Sequence, residues 1–217
     1  MPIARESLLN AALRALDQRP WSAVRMVDVA ASAGVSRQTL YNEFGSKDGL
    51  ARALVRKEAD AYLHGVDRLF SERTGSERTG PAAVERLVAL AEWTVAQARA
   101  RPLLRALLTG CWGERLPEPR SAGRDTSPAG APAQRRADAG PPAPADVAAA
   151  VRDRSLAALE RSRTGGPAHP DETAVLAHRC ELTVRLALSF VVAPDREGVA
   201  ALVRAAVAAP RRPPSGE

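Results

Sequence analysis

Residues 27–50 read VDVAASAGVSRQTLYNEFGSKDGL and indicate the architecture of the N-terminal end of the chain. Ala30 is small enough to let two helices approach closely, and Gly34 readily adopts the positive φ that a tight turn requires. After that turn, Leu40 and Phe44 recur at the spacing of an inward-facing helical stripe. The stretch therefore predicts a helix, a tight turn and a second helix, which together form a helix-turn-helix.

Helix-capping residues set the boundaries of the neighbouring helices. Pro20 stops the first helix, and Trp21 beside it is available to pack beneath the next part of the chain. Ser36 can cap the third helix, which Gly45 ends, and Ser46 can cap a fourth. The first four predicted helices span about residues 5–17, 26–32, 36–44 and 47–70.

Helical periodicity continues to the C-terminal end, and no segment of the sequence favours a β-sheet. Nineteen of the thirty-four residues 113–146 are Pro, Gly or Ala, so this segment is predicted to be a disordered loop. The fold class is therefore all-α, with a long fourth helix that connects the two halves. Further helices are predicted at about 84–100, from Pro102 onward, and at about 145–162, 171–192 and 195–208.

Positive charge is concentrated at the N-terminal end. The formal net charge is +6, and residues 1–57 hold nine Arg or Lys against five Asp or Glu. Such a bias suits nucleic acid or an anionic membrane, and an ordinary solvated surface carries it as well. Charge alone leaves these three interpretations open.

Several classes of protein are excluded by other features. Cys111 and Cys180 are too few and too far apart for a disulfide framework, and neither has a metal-ligand spacing. The chain has no signal-peptide-like start and no uncharged apolar run of about 18 residues, so we expect a cytoplasmic protein that does not bind a membrane.

Catalytic patterns are also missing from the sequence. HExxH, GxSxG and P-loop motifs do not occur. His178 and Cys180 would be a candidate base and nucleophile, but two residues apart on a helix they point in different directions. We therefore expect a protein that is not an enzyme and that uses no cofactor and no metal.

The second helix of the motif carries a distinct face opposite its apolar stripe, formed by Arg37, Gln38, Tyr41 and Asn42. Arginine can contact guanine bidentately, and glutamine or asparagine can contact adenine in the same way. Residues in the first turn reach deepest when such a helix enters the major groove. Arg37 and Gln38 are therefore the predicted base readers.

Other residues nearby suit phosphate groups. Thr39 and Tyr41 carry hydroxyls that can donate to phosphate oxygens, and Ser36 and Asn42 complete the predicted DNA-contacting set. Lys47 stands in the first turn of the fourth helix, where free backbone N–H groups also attract an anion. The alternative is that these exposed residues serve only solubility and that the motif occurs by chance.

The extension LYNEFGSKDGL, residues 40–50, closely resembles the signature of TetR-family transcriptional regulators, and the resemblance covers residues 5–55. Two positions differ from the family pattern. The string AVRMVD stands where the family usually has a Thr or Ser cap, and Gly49 stands where Glu is common. Arg25, within that string, is accordingly a candidate phosphate contact.

The resemblance implies a division of labour along the chain. Residues 1–47 would form the helix-turn-helix DNA-binding domain, and residues 48–208 a helical ligand-binding and dimerisation domain, followed by a disordered tail over 209–217. A small effector bound between helices would move the two DNA-binding heads out of register. The mostly apolar composition of the candidate pocket residues, and not the resemblance, favours an apolar effector. The variant RQTLYNEFGSK is also similar to regulators encoded near alkane or fatty-acid genes.

The same resemblance implies two sets of residues in the C-terminal half. The implied effector pocket is mostly apolar and consists of Trp93, Gln97, Leu104, Leu108, Cys111, Trp112, His178 and Thr183. The implied homodimer interface lies on the last two helices and consists of Leu182, Leu186, Val199, Leu202, Val203 and Ala206. Core packing within one chain explains both sets equally well, and that alternative stays open.

These observations predict a ligand-responsive transcriptional regulator. It would be a repressor that binds a palindromic operator in double-stranded DNA as a homodimer, because two recognition helices must lie about 34 Å apart to read a palindrome. A small, apolar effector would release it. The alternative is a helical small-molecule-binding or scaffold protein whose N-terminal motif binds no specific DNA.

Overall fold

The computed structural model describes residues 2–72, 80–119, 140–162, 170–195 and 198–208. Within these ranges the chain forms helices joined by turns and contains no strand, which confirms the predicted all-α fold class. The elements are α1 (Pro2–Gln18), a 3₁₀ turn (Trp21–Ala23), α2 (Met26–Ser32), α3 (Arg37–Phe44), α4 (Lys47–Glu72), α5 (Gly80–Ala100), α6 (Pro102–Thr109), α7 (Pro144–Arg161), α8 (Pro170–Val192) and α9 (Val199–Val207).

Most helix boundaries follow from the residues that the sequence predicts as caps. The span of α2 matches its prediction, and Pro102 opens α6. Gly45 ends α3 with a φ of 69°, a conformation that glycine adopts without steric cost. Three helices start elsewhere than predicted: α1 begins at Pro2 and not near residue 5, α5 at Gly80 and not near residue 84, and α9 at Val199 and not near residue 195. For α9 the physical reason is Gly198, whose φ of 73° and ψ of 165° are incompatible with a helix.

The predicted disordered loop over 113–146 is partly described. Residues 113–119 form turns in which the Arg115 carbonyl accepts a hydrogen bond from the Trp21 backbone N–H at 2.9 Å, and Pro117 is buried. Helix α7 begins at Pro144. The remaining prediction of disorder for residues 120–139 lies outside the described residues, as does that for the tail over 209–217.

The chain divides into two compact units, one formed by residues 1–61 and 103–144 and the other by residues 62–102 and 145–217. Helix α4 therefore contributes its first part to one unit and its last part to the other. These units are drawn differently from the predicted domains over 1–47 and 48–208. The assignment of DNA binding to the first domain and ligand binding to the second stays a prediction.

In the first unit, α1, α2 and α3 pack against one another. Their buried apolar side chains include Leu8, Val29, Leu40 and Phe44, each almost entirely removed from solvent. Lys57 on α4 adds polar ties to α1, because its ammonium pairs with Glu6 and donates to Asn10 Oδ1 at 2.8 Å. The three short helices are thus packed together and tied to the first part of α4.

In the second unit, α5 packs against α8 and α9, which also contact each other. Val199, Val203 and Val207 are buried, at the spacing expected for one helical stripe. Arg204 binds Glu85 through two hydrogen bonds of 2.9 Å, which tie α9 to α5 in a bidentate arrangement.

An aromatic pair packs the last part of α4 onto α5. The Tyr62 and Trp93 rings are stacked, with centroids 5.3 Å apart and planes 9° from parallel. A Cβ placed on Gly65 would lie 2.5 Å from both Cη2 and Cζ2 of Trp93, so the indole rests directly on the glycine backbone. The buried Tyr62 hydroxyl and Thr94 Oγ1 share a hydrogen bond of 2.9 Å. A glycine at position 65 is therefore part of the packing.

Neither a membrane span nor a metal cluster occurs in the described part of the chain. None of its helices is long and apolar enough to cross a membrane. None of its described His, Cys, Asp and Glu side chains gathers in a group of three or more that could hold a metal ion.

Candidate nucleic-acid interface

The start of α3 is fixed by its cap. Ser36 Oγ accepts a hydrogen bond from the Thr39 backbone N–H at 3.0 Å, and the Ser36 and Thr39 hydroxyls lie 2.9 Å apart in a second hydrogen bond. Leu40 and Phe44 anchor the opposite side of the helix in the core. The first turn of α3 therefore has a defined position, as a base-reading element requires.

The predicted reading face of α3 is exposed as the sequence indicates. Arg37, Gln38, Tyr41 and Asn42 all face solvent, and 47% of Tyr41 is accessible. Gln38 Nε2 donates to Asn42 Oδ1 at 2.8 Å, one helical turn away. This bond leaves the Gln38 amide oxygen as an acceptor and the Asn42 amide group as a donor, the pair that an adenine edge in the major groove can satisfy.

A second contact fixes α3 from the side of α1. The Arg5 guanidinium lies 4.7 Å from the centre of the Phe44 ring and 3.4 Å from Glu43 Oε2. A cation over an aromatic face is attracted by the ring quadrupole, and here the same cation also meets a carboxylate. The C-terminal turn of α3 is thus held to α1 by its Phe44 side chain and its Glu43 carboxylate.

The turn between α3 and α4 explains one departure from the family pattern. Ser46 Oγ caps α4 by accepting from the Gly49 backbone N–H at 3.0 Å. A Cβ on Gly49 would lie 1.8 Å from the Phe44 carbonyl oxygen, a distance at which the backbone itself must move. Glycine at position 49 therefore permits the close approach of α4 to the end of α3.

Lys47, a predicted phosphate contact, is held in place by the 3₁₀ turn. Its ammonium lies 5.3 Å from the centre of the Trp21 ring and donates to the Ser22 carbonyl oxygen at 3.2 Å. Burial lowers the pKa of Lys47, an effect that the neighbouring Asp48 carboxylate opposes. The sequence indicated only that Trp21 is available to pack beneath the next part of the chain, and it gave no sign that Trp21 and Ser22 position the lysine.

Arg25 occupies the cap position of α2, where the family usually has Thr or Ser. Its side chain is exposed and makes no capping hydrogen bond to α2. The acidic Asp28 in the first turn of α2 pairs instead with Arg19 at 3.5 Å. The Arg25 guanidinium therefore has no role in closing α2, and its proposed contact with phosphate stays a prediction.

The eight residues of the implied effector pocket fall in both compact units, four in each. Leu104, Leu108 and Thr183 are buried, Trp93, Gln97 and Trp112 are half-buried, and Cys111 and His178 are exposed. Trp93 is occupied by its stack on Tyr62, and the Thr183 hydroxyl donates to the Arg179 carbonyl of its own helix at 2.8 Å. Their membership of one pocket stays a prediction.

The six residues of the implied dimer interface also differ in exposure. Val199 and Val203 are buried within the single chain, because the stripe that they share with Val207 faces the core. Leu182 and Leu186 are half-buried, whereas Ala206 is exposed and Leu202 is 46% exposed. Packing inside the chain thus accounts for the two valines, and dimerisation through the other four stays a prediction.

The candidate nucleophile and base of α8 do not meet. Cys180 is buried and His178 is exposed, as expected for residues two apart on a helix. Burial raises the pKa of the Cys180 thiol to about 12, with the Glu160 carboxylate acting in the same direction. The thiol is therefore protonated at neutral pH and is a poor nucleophile.

Comparison with known proteins adds a family match at the same end of the chain. Residues 8–54 match the family model described as bacterial regulatory proteins, tetR family. The HTH-type transcriptional regulator AlkX of Mycobacterium tuberculosis is 37% identical over 108 residues, which is 50% of this chain and 48% of that protein. The chain thus aligns with about half the length of this curated relative.

A solved structure is similar in fold, and another superposes less closely. A tetR-family transcriptional regulator from Streptomyces coelicolor superposes with a TM-score of 0.52 at 17% identity, covering 95% of this chain and 78% of that chain. The TetR family repressor AlkX from Dietzia sp., implicated in biodegradation of n-alkanes, gives a TM-score of 0.46 at 21% identity, covering 94% and 90%. The first likeness supports the all-helical fold of the two halves.

Proposed function

We infer that the N-terminal domain of the chain belongs to the TetR family of bacterial regulatory proteins, whose model matches residues 8–54, and we propose that the whole chain is a ligand-responsive transcriptional repressor. It binds a palindromic operator as a homodimer and leaves the operator when a small-molecule effector binds. The observation that carries the proposal is the exposed face of α3, held by a cap and a buried stripe at a fixed position. The transcriptional regulator with 37% identity supports the same activity.

Base reading is assigned to the first turn of α3. An α-helix with its side chains is about 10–12 Å across, which suits a major groove about 12 Å wide. Arg37 is exposed and able to contact the O6 and N7 atoms of guanine bidentately. Gln38 and Asn42, already bonded to each other, present one acceptor and one donor to an adenine.

Phosphate contacts position this helix on the duplex. Lys47 stands at the N-terminus of α4, where the helix dipole favours an anion. Tyr41, exposed at the flank of α3, and Arg25, exposed before α2, supply a hydroxyl and a guanidinium. Thr39 and Ser36 are already joined to each other, so their part is to fix the helix as well as to meet phosphate.

Dimerisation follows from the need to read two half-sites about 34 Å apart. The exposed apolar residues of α8 and α9 support it, since Val192 is 60% exposed and Leu202 is 46% exposed. Leu182, Leu186 and Ala206 lie on the same two helices and leave part of their surface accessible. The proposed interface joins these faces to their copies on the partner protomer.

The DNA-binding assignment is tested by comparing two variants with a matched control. Arg37→Ala is expected to weaken binding to the preferred operator and to reduce discrimination between base pairs, because it removes a base contact. Lys47→Ala is expected to weaken binding to all duplexes alike and to reduce the salt slope, the dependence of the logarithm of the affinity on the logarithm of the salt concentration, by about 1. Arg99→Ala removes an exposed arginine from α5 and leaves both properties unchanged.

These variants are measured by fluorescence anisotropy on the preferred duplex and on a scrambled duplex at several salt concentrations. Equal losses on both duplexes for Arg37→Ala and for Lys47→Ala would contradict the division between base reading and phosphate positioning. A preference for no duplex at all would favour the alternative of a small-molecule-binding or scaffold protein.

A further inference from the structure

A polar cleft lies within the second compact unit, where the end of α4, α5 and the end of α7 meet. Its volume is about 440 Å³, which falls within the range of small-molecule sites. None of the eight residues of the implied effector pocket lines it. The residues that do are Asp67, Phe70, Ser71, Arg86, Ala158, Arg161 and Ser162.

Arg86 is the central cation of this cleft. Its Nη1 donates to Ser162 Oγ at 2.8 Å, its Nη2 donates to the Phe70 carbonyl oxygen at 3.0 Å, and the guanidinium lies 5.0 Å from the centre of the Phe70 ring. Its Nε is buried and makes no hydrogen bond to the described residues. Both hydrogen-bond acceptors of Arg86 are neutral oxygens, so neither of them is a carboxylate that could balance its positive charge. Burial lowers the pKa of Arg86.

Among the described residues that line the cleft, no carboxylate pairs with Arg86. Asp67, the acidic residue of the lining, forms an ion pair with Arg154, and its carbonyl accepts from Ser71 Oγ at 2.8 Å. The Ser162 hydroxyl accepts from Arg86 and donates to the Leu159 carbonyl at 2.8 Å, so its proton is already used. The lining therefore offers a positively charged donor and little capacity to bind a cation.

Arg161 is the second cation. It is exposed at the end of α7, and its Nε donates to the Ala157 carbonyl of its own helix at 3.1 Å. An arginine in the last turn of a helix also complements the helix dipole, which explains its position without a ligand. That explanation does not extend to Arg86, which stands in the first half of α5, and both guanidinium groups line the same cleft.

We propose that this cleft binds a small organic anion that carries a carboxylate or phosphate group held between Arg86 and Arg161. Guanidinium groups bind both kinds of oxyanion through paired N–H donors, and partial burial strengthens such a contact. This proposal gives the chemical class of the effector of the proposed repressor, and it therefore rests on the proposed function. It differs from the apolar effector that the sequence predicts.

The test uses the full chain without DNA, so that its failure is separate from any failure of operator binding. Isothermal titration calorimetry at constant ionic strength measures the binding of inorganic phosphate, succinate and citrate to the chain. Each anion is used at millimolar concentration, with sodium chloride as the reference salt. We expect saturable binding of one or more of these anions at one site per chain.

Substitutions locate the site. Arg161→Gln changes an exposed side chain and is expected to lower the affinity for the anion about tenfold, because one charge-assisted contact is lost. Arg86→Gln is expected to lower this affinity further. If the Arg86→Gln variant does not fold, the affinity measured for Arg161→Gln alone tests the proposal. Arg185→Gln removes an arginine paired with Glu181 on α8 and leaves the affinity unchanged. No saturable binding of any of the three anions, or an affinity unchanged in Arg161→Gln, would overturn the proposal.

Discussion

Gly65 and Trp93 form a contact whose energetic consequence can be stated in advance. Gly65 lies in the interior of α4, and the edge of the Trp93 indole rests against its Cα. In Gly65→Ala the new Cβ would stand 2.5 Å from two ring carbons, whereas ordinary contacts begin near 3.4 Å. The ring must therefore shift by about 0.9 Å, although it is stacked on Tyr62 at 5.3 Å.

Two opposing effects set the size of the change. Alanine is favoured over glycine in a helix interior by about 1 kcal/mol. Overpacking of a filled contact costs about 1–3 kcal/mol, and the aromatic stack that the shift disturbs contributes about 0.5–1.5 kcal/mol. We therefore expect Gly65→Ala to destabilise the fold by about 1–2 kcal/mol, which lowers Tm by about 2–4 °C for each kcal/mol in a chain of this size.

A double-mutant cycle isolates this contact. In a Trp93→Leu background no ring lies over residue 65, so Gly65→Ala is expected to stabilise by about 1 kcal/mol through helix propensity. Urea unfolding followed by circular dichroism gives both differences. The same free-energy change for Gly65→Ala in the two backgrounds would refute the packing account and would leave Trp93 available to line a pocket.

Three further outcomes are expected. Burial raises the pKa of Tyr62 from 10.0 to about 12. The contribution of the protonated Tyr62 hydroxyl to the free energy of unfolding is therefore complete below pH 10 and is lost as the pH rises toward 12. Urea titrations should show that the protein loses about 3 kcal/mol over this pH range and that Tyr62→Phe does not show this loss. Gly49→Ala should lower Tm and weaken all DNA alike, because its Cβ displaces the Phe44 carbonyl; unchanged stability would contradict that contact. Trp21→Leu should reproduce the reduced salt slope of Lys47→Ala in anisotropy titrations, and a normal slope would show that the indole does not position the lysine.

Much of the fold could be predicted because its signals are local. The cap at Ser36, the positive φ at Gly34 and the apolar spacing of Leu40 and Phe44 each act within a few residues, and each is present in the structure. The same local periodicity also placed the four residues of the reading face on the solvent side of α3. A start of α9 near residue 195 was wrong because apolar spacing does not register the backbone conformation of Gly198.

The contacts that sequence reasoning missed join residues far apart in the chain. Lys47 meets Trp21 and Ser22 across 25 or more positions, and Arg86 meets Ser162 across 76. Nothing in the spacing of such residues marks the pair, because the contact depends on how helices pack. Val203 is buried within the single chain, which its sequence pattern could not predict. The spacing of an apolar helical stripe is the same whether the stripe faces the chain's own core or a second protomer.

The most direct measurement is an anisotropy titration of the purified chain on labelled duplex from the DNA flanking its own gene, with random duplex as competitor. We expect a salt-sensitive complex of two chains per duplex that survives competitor in excess, because specific binding exceeds non-specific binding by about 10³-fold or more. Binding that random duplex displaces as readily as the flanking DNA itself would contradict sequence-specific operator recognition by α3.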